Sequence, residues 1–343
     1  MSRLVEDIND TLNAHTLYLF TQYRPFATAE GQAEPIKRMD ASRFWGVIVG
    51  IDRYSTSQLH GCVSDALSIE TYLRRDLGVP EDRLQLRLGP KEHIPCDNNA
   101  VPSRKNIIAT LHSLITNPNI MPGDNIVIYF SGHGSSYLWE DYYHSQKAHN
   151  LDRAFDGVSA TGSVEALCPI DRNGLDETGR LIPDISDREI NIILSELSHV
   201  KGNHITLILD CCHSSSASRC ISETRVRSLR PLPRGSFQGM LLAADDNLRR
   251  FPCHRSVFAE DWYPDTESHV VLAACNEYEF AKEMPGDMGF NGFFTKSLIG
   301  TLTAGHLTEE ATYVDLVAAL DKSWCQTPVA AGKYKNSKLW YQN

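Results

Sequence analysis

The sequence lacks any stretch approaching the roughly 20 consecutive apolar residues of a membrane-spanning helix. It also lacks a paired-cysteine signature. Its nine cysteines include no Cys-x-x-Cys pair, which argues against a zinc finger, and their odd number argues against a disulfide framework. An excess of positive charge is missing too. The 33 Lys and Arg face 43 Asp and Glu, a net charge of −10, so neither nucleic acid nor an acidic membrane is an expected partner. There is no internal repeat and no low-complexity block. With 42% hydrophobic and 22% charged residues among 343, the chain is not a disordered one, and it is long enough to bury a core without staples. The opening Met1-Ser-Arg-Leu-Val-Glu-Asp-Ile-Asn-Asp10 carries acids where a signal peptide needs a basic and then an apolar stretch. The expectation is a soluble cytoplasmic protein, with the nucleus as an alternative location, and reduced thiols.

What is present is an alternation of short apolar runs and amphipathic stretches. Residues 1–43 read as an N-terminal arm, with one helical spacing (Val5, Ile8, Leu12) and a broken, polar segment after it. Trp45–Ile51, Ile126–Phe130, Ile205–Leu209 and His269–Ala274 read as strands buried on both faces. Leu84, Leu86 and Leu88 alternate as a further strand, and Ala166–Ile170 is a shorter one. Helices are expected where Val63, Ala66, Leu67, Leu73 and Leu77 line one side, after a Ser103 cap, over Asp187–Val200, and around Phe293–Leu302 and Val314–Trp324. Lys338–Tyr341 reads as a last strand. This order predicts an α/β fold with a mainly parallel sheet and helices on both faces, whose chemistry lies beyond the carboxyl ends of the strands.

Two such ends carry reactive groups. Ser131-Gly-His-Gly134 follows one strand and Asp210-Cys-Cys-His-Ser214 follows another. A lone histidine or cysteine near a strand end is more often structural. Their joint occurrence points instead to a thiol nucleophile and an imidazole base, because a free thiol is mostly protonated at neutral pH and needs a proton acceptor. The N–H groups of Gly134 and Cys212 are suited to receive a developing oxyanion. Adjacent side chains on an extended segment point to opposite faces, so only one of Cys211 and Cys212 can be the nucleophile. Asp210, two residues before Cys212, lies where an anionic wall would select a cationic side chain.

Tyr129-Phe-Ser-Gly-His-Gly134 and Asp210-Cys-Cys-His-Ser214 resemble the two catalytic motifs of metacaspases, the caspase-like cysteine proteases of fungi, plants and protists. Gly46–Ile51, Leu59–Ala66, Cys168-Pro-Ile-Asp171 and Asn291-Gly-Phe-Phe-Thr295 extend the resemblance, and Pro183–Ile190 is similar to caspase-domain proteins of mushroom-forming fungi. The resemblance implies a caspase-like (caspase-hemoglobinase) fold over residues 44–343. It divides into a large-subunit-like part (44–214), an Arg-rich connecting loop (215–267) and a small-subunit-like part (268–343), and the 1–43 arm could be a pro-segment. It implies that Cys212 is the nucleophile, His133 the base, and Cys62, Asp65, Ser131 and Asp210 the pocket for Arg or Lys before the cut. The expected partners are protein or peptide substrates with Arg or Lys at the cleavage site. No organic cofactor is expected.

Many metacaspases hold calcium in an aspartate cluster, which here would draw on Asp171, Asp184 and Asp187. The sequence departs from that pattern at Arg188, where the family has a second Asp, and near Arg219. Ser215 replaces a customary Gly without removing a chemical group. The connecting loop carries Arg219, Arg225, Arg227, Arg230, Arg234, Arg249, Arg250 and Arg255, so a protease cutting after Arg could process itself there. Two rivals stand beside the peptidase: a catalytically weak or inactive caspase-like regulatory module, and another thiol hydrolase such as a thioesterase.

Overall fold

The computed structural model describes residues 40–92, 97–139, 163–212, 226–233, 235–251, 255–259, 262–276, 279–286, 289–323 and 326–341. The arm expected over 1–43 lies almost wholly outside them, as do His213, Ser215, Arg219, Arg225 and Arg234.

Strand β1 (Phe44–Ile51) is buried at all eight positions, which its unbroken apolar sequence requires. It lies inside a six-stranded sheet with β2 (Leu84–Gly89), β3 (Asn125–Ser131), β7 (Ile205–Asp210), β8 (Val270–Ala273) and β11 (Val329–Ala331), in the order β11-β8-β7-β3-β1-β2. Only β11 runs antiparallel. The chain leaves β1 for β2 on one side and β3 on the other, so the β1–β3 boundary is a switch point of the kind that opens a ligand crevice. A small sheet of β4 (Gly134–Leu138), β5 (Ser163–Leu167) and β6 (Ile185–Ser186) and a hairpin of β9 (Glu283–Gly286) and β10 (Gly289–Gly292) stand beside it.

Helices cover both faces. On one face lie α2 (Arg104–Thr116), α3 (Asp187–Lys201) and α4 (Ser236–Leu248), whose Ile108, Leu111, Ile193, Leu197, Met240 and Leu241 join a cluster with Ile126, Ile128 and Leu207 of the sheet. On the other lie α1 (Cys62–Thr71), α5 (Phe293–Thr303) and α6 (Tyr313–Ala319), packed on Ile48, Tyr129 and Ile208. Ser103 caps α2 as expected, its Oγ accepting from the Asn106 N–H at 3.2 Å.

Three expectations are corrected. Lys338–Tyr341 is not a strand: Leu339–Tyr341 form a 3-10 turn with Trp340 at φ 56° and buried against Phe44 and Tyr313, and β11 takes the sheet edge. Leu67, assigned to the buried side of α1, is 43% exposed. The stretch 215–267 is not a surface loop throughout. It contains α4, and Leu229, Leu232, Phe237, Leu248 and Val257 are core residues.

Candidate active site

Ser131 and Asp210 are register partners at the carboxyl ends of the adjacent strands β3 and β7. His133 and Cys212 each follow two residues later. Alternation along β7 and beyond sends Cys211 into the core cluster of one face and Cys212 into that of the other, which leaves Cys212 beside the crevice.

The His133 ring is held by two contacts, and its backbone by a third. Its Nε2 lies 2.6 Å from the carbonyl oxygen of Ser57, a residue at φ 55°. A carbonyl only accepts, so Nε2 carries the proton and Nδ1 presents a lone pair; among the described residues Nδ1 is buried without a hydrogen-bond partner. The Tyr54 ring packs 4.6 Å from the imidazole, and the Tyr54 hydroxyl accepts from the His133 N–H at 2.9 Å. Burial pushes the imidazole down to about 4, opposed by the Ser57 carbonyl. Burial likewise pushes the Cys212 thiol up to about 12, opposed by the backbone at Ala281 and the charge of Arg227. Both groups are therefore neutral at physiological pH while the cleft is occupied.

The occupant is the chain itself. The carbonyl oxygen of Arg227 accepts from the N–H of Gly134 at 3.0 Å and of Cys212 at 3.2 Å. Its own N–H donates to the Ala281 carbonyl at 3.0 Å, and Leu229 N–H donates to the Gly134 carbonyl at 2.8 Å. Bridges pair Val226 with Lys282 and Ser228 with Gly134, so residues 226–229 lie as an extended strand across the site. The Arg227 side chain is fully buried. Nη1 donates to Ser131 Oγ at 2.9 Å and pairs with Asp210 Oδ2 at 2.8 Å, while Nη2 pairs with Asp65 Oδ2 and lies 3.6 Å from Glu283 Oε1.

The pocket is built by converging elements. Asp65 projects from α1 and accepts from Gly292 N–H at 3.0 and 2.9 Å. Asp210 accepts from the Thr295 hydroxyl at 2.6 Å. Burial pushes Asp65 up to about 6, with the Arg227 charge opposing. Cys62 is buried at the start of α1, its thiol 3.8 Å from Glu283. The four residues expected to line the pocket thus gather in one place, joined by Glu283, Gly292 and Thr295. The motif Asn291–Thr295 marked the last two without giving their role. Among eight candidate arginines nothing in the sequence singled out Arg227, and Glu283 had no signal. Ser57 and Tyr54 were also missed, because they act through backbone contacts and ring packing.

Each acid expected to hold calcium is engaged by other groups of the chain. Asp171 Oδ1 accepts from Arg104 N–H at 2.9 Å. Asp184 is held by Arg172 at 2.8 and 2.7 Å and accepts from the Tyr137 hydroxyl at 2.7 Å. Asp187 accepts from Arg188 N–H at 2.8 Å. The Arg188 guanidinium lies 5.0 Å from the Trp139 ring and 4.5 Å from the Trp262 ring and donates to the Val257 carbonyl at 2.6 Å. A fixed cation beside Asp187 opposes a second one. Each of Asp171, Asp184 and Asp187 therefore already has hydrogen-bond partners of its own. Among the described residues, the donor atoms that lie within 4.8 Å of one another belong to Asp52, Cys62 and Glu283. Both of these carboxylates are already bonded to backbone N–H groups at residues 60–63.

A family profile described as "Metacaspase, peptidase C14 domain" matches residues 46–220, just over half of the chain. The chain belongs to this metacaspase family. Metacaspase-3 of Arabidopsis thaliana is 31% identical over 172 residues, which cover 50% of this chain and 39% of the relative. Metacaspase-1A of Aspergillus oryzae is 26% identical over 172 residues, covering 50% and 34%. The chain therefore matches little more than a third of the length of these curated metacaspases. A crystal structure of a Geobacter sulfurreducens protein shares the fold, with a TM-score of 0.51, 15% identity, and coverage of 84% of this chain and 94% of that one. The Drosophila initiator caspase Dronc superposes with a TM-score of 0.45 at 10% identity, covering 92% and 91%. The α/β fold with a mainly parallel sheet and the cysteine-peptidase family expected from the two strand-end motifs are those of this chain.

Proposed function

We propose that this metacaspase is a cysteine endopeptidase that cuts after arginine or lysine, and that its first substrate is its own Arg227–Ser228 bond. The observation that carries this reading is the double engagement of Arg227. Its carbonyl oxygen lies between two N–H donors while its guanidinium fills an acidic pocket. That is the pose of a residue about to be acylated onto a nucleophile.

In the reaction, His133 Nδ1 takes the proton of the Cys212 thiol, and Sγ attacks the Arg227 carbonyl carbon. Negative charge moves onto the carbonyl oxygen, where the Gly134 and Cys212 N–H groups already point. Collapse breaks the C–N bond, His133 returns the proton to the Ser228 amine, and a thioester between Cys212 and Arg227 remains. Water then attacks the thioester with His133 as base, which frees the thiol and leaves a carboxylate on Arg227. Release of that carboxyl end empties the pocket for other basic substrates.

The test is a fluorogenic arginine peptide turned over by the whole chain, with Cys212→Ala as control. Turnover by wild type and none by the variant is the expected result. Equal rates would remove the peptidase reading. A second reading, a regulatory module with a permanently plugged cleft, is favoured by the complete burial of Arg227. It predicts a chain that stays intact and turns over no peptide.

A further inference from the structure

Glu283 lies outside the pocket positions the sequence suggested, yet it is fully buried and 3.6 Å from the Arg227 guanidinium. We propose that Glu283 is the third carboxylate of the specificity pocket and makes it select arginine over lysine. The inference rests on reading the cleft as one that takes basic side chains.

A guanidinium presents two terminal nitrogens on a rigid fork, whereas an ammonium presents one point charge. Each terminal nitrogen here has its own set of acceptors. Nη1 is served by Ser131 and Asp210, and Nη2 by Asp65 and Glu283. A lysine nitrogen can approach one set and must leave the other. The unserved set then consists of buried carboxylates without a cation, which is costly. Glu283 thus turns a one-sided pocket into a two-sided one.

Its position links the pocket walls. Its carboxylate accepts from His60 N–H at 3.0 Å and Gly61 N–H at 2.7 Å, the turn that opens α1 and so sets Asp65. The residues just before it hold the bound main chain, through Ala281 to Arg227 and Lys282 to Val226. Ala281 and Glu283 therefore contact the backbone and the side chain of the bound arginine, while Lys282 between them pairs with the residue before that arginine.

The test uses two peptides that differ only in Arg or Lys before the cut, and the full chain with Glu283→Gln. Gln keeps the shape and one acceptor oxygen for the Gly61 N–H. The Arg-to-Lys ratio of kcat/KM is expected to fall about tenfold, through loss on the arginine peptide. Equal losses on both peptides, or an unchanged ratio, would overturn the proposal, and the first would assign Glu283 to holding the turn alone. Should Glu283→Gln fail to fold, Glu283→Asp, with its carboxylate withdrawn by one methylene, must lower the ratio too. A catalysis-free arm uses Arg227→Ala, which vacates the pocket. n-Butylguanidinium should raise its melting temperature more than n-pentylamine does, and adding Glu283→Gln should erase the difference. No difference with Glu283 intact would overturn the proposal even if no peptide is cut. Failure to cut either peptide with that difference present would count against the peptidase reading alone.

Discussion

The carbonyl oxygen of Arg227 lies 3.2 Å from the amide nitrogen of Cys212. The same residue's guanidinium is enclosed by Ser131, Asp65, Asp210 and Glu283. A structural arginine needs only the second arrangement. A residue bound for cleavage needs both, and the 226–229 segment adds a paired backbone on either side.

Arg227→Ala should destabilise the uncut chain, because it strips a cation from buried carboxylates. The expected cost is about 3–5 kcal/mol if the pocket stays dry and less as water enters. The deficit depends on pH. Asp65 is already pushed up to about 6 with Arg227 in place, and loss of that charge raises it further. The folded variant then holds protons that the unfolded chain has released, so its stability falls as pH rises through that range. Thermal melting should show a larger deficit at about pH 8 than at about pH 5. An equal deficit at both would contradict the charge account.

Gly292→Ala should close the pocket without touching the dyad. A Cβ there would lie 2.6 Å from Arg227 Nη1 and 2.8 Å from Asp65 Oδ2, and closer still to Asp210 Oδ2. Arginine-peptide turnover should drop tenfold or more (a rough figure) while iodoacetamide still labels Cys212. Retained turnover would show that the basic side chain binds elsewhere.

Tyr54→Phe should lower stability by about 1–3 kcal/mol, since it removes the acceptor for the buried His133 N–H and the donor to the Cys168 carbonyl. Its effect on peptide turnover should fall on kcat, because Tyr54 orients the base and does not line the pocket. Denaturant melts and steady-state kinetics measure the two parts. A change confined to KM would contradict this role.

Much of this was legible from the chain. Unbroken apolar runs gave β1, β3, β7 and β8, and the polar residues that follow β3 and β7 stood out against them. The pocket acids Asp65 and Asp210 were legible through motif context rather than composition. Arg227 was not, since its selection depends on the reach of a connecting segment and on pairing with residues 281–282, far along the sequence. The helix Ser236–Leu248 was hidden by the density of arginines around it, although Phe237, Met240, Leu241, Ala244 and Leu248 have helical spacing. Leu339 and Trp340 carry the composition of a strand, but tertiary packing turns them into a buried plug.

Calcium should not stabilise the chain through Asp171, Asp184 and Asp187, whose oxygens already bond Arg104, Arg172, Tyr137 and Arg188. Melting curves with millimolar calcium should overlay those with chelator. A calcium-dependent rise abolished by Asp184→Asn would contradict this assignment.

The most direct test is mass mapping of the purified chain incubated alone, beside Cys212→Ala. Wild type should yield a fragment whose new amino terminus is Ser228, and the variant should stay whole. A wild-type chain that remains intact, or cleavage at the same bond in the Cys212→Ala chain, would contradict the account.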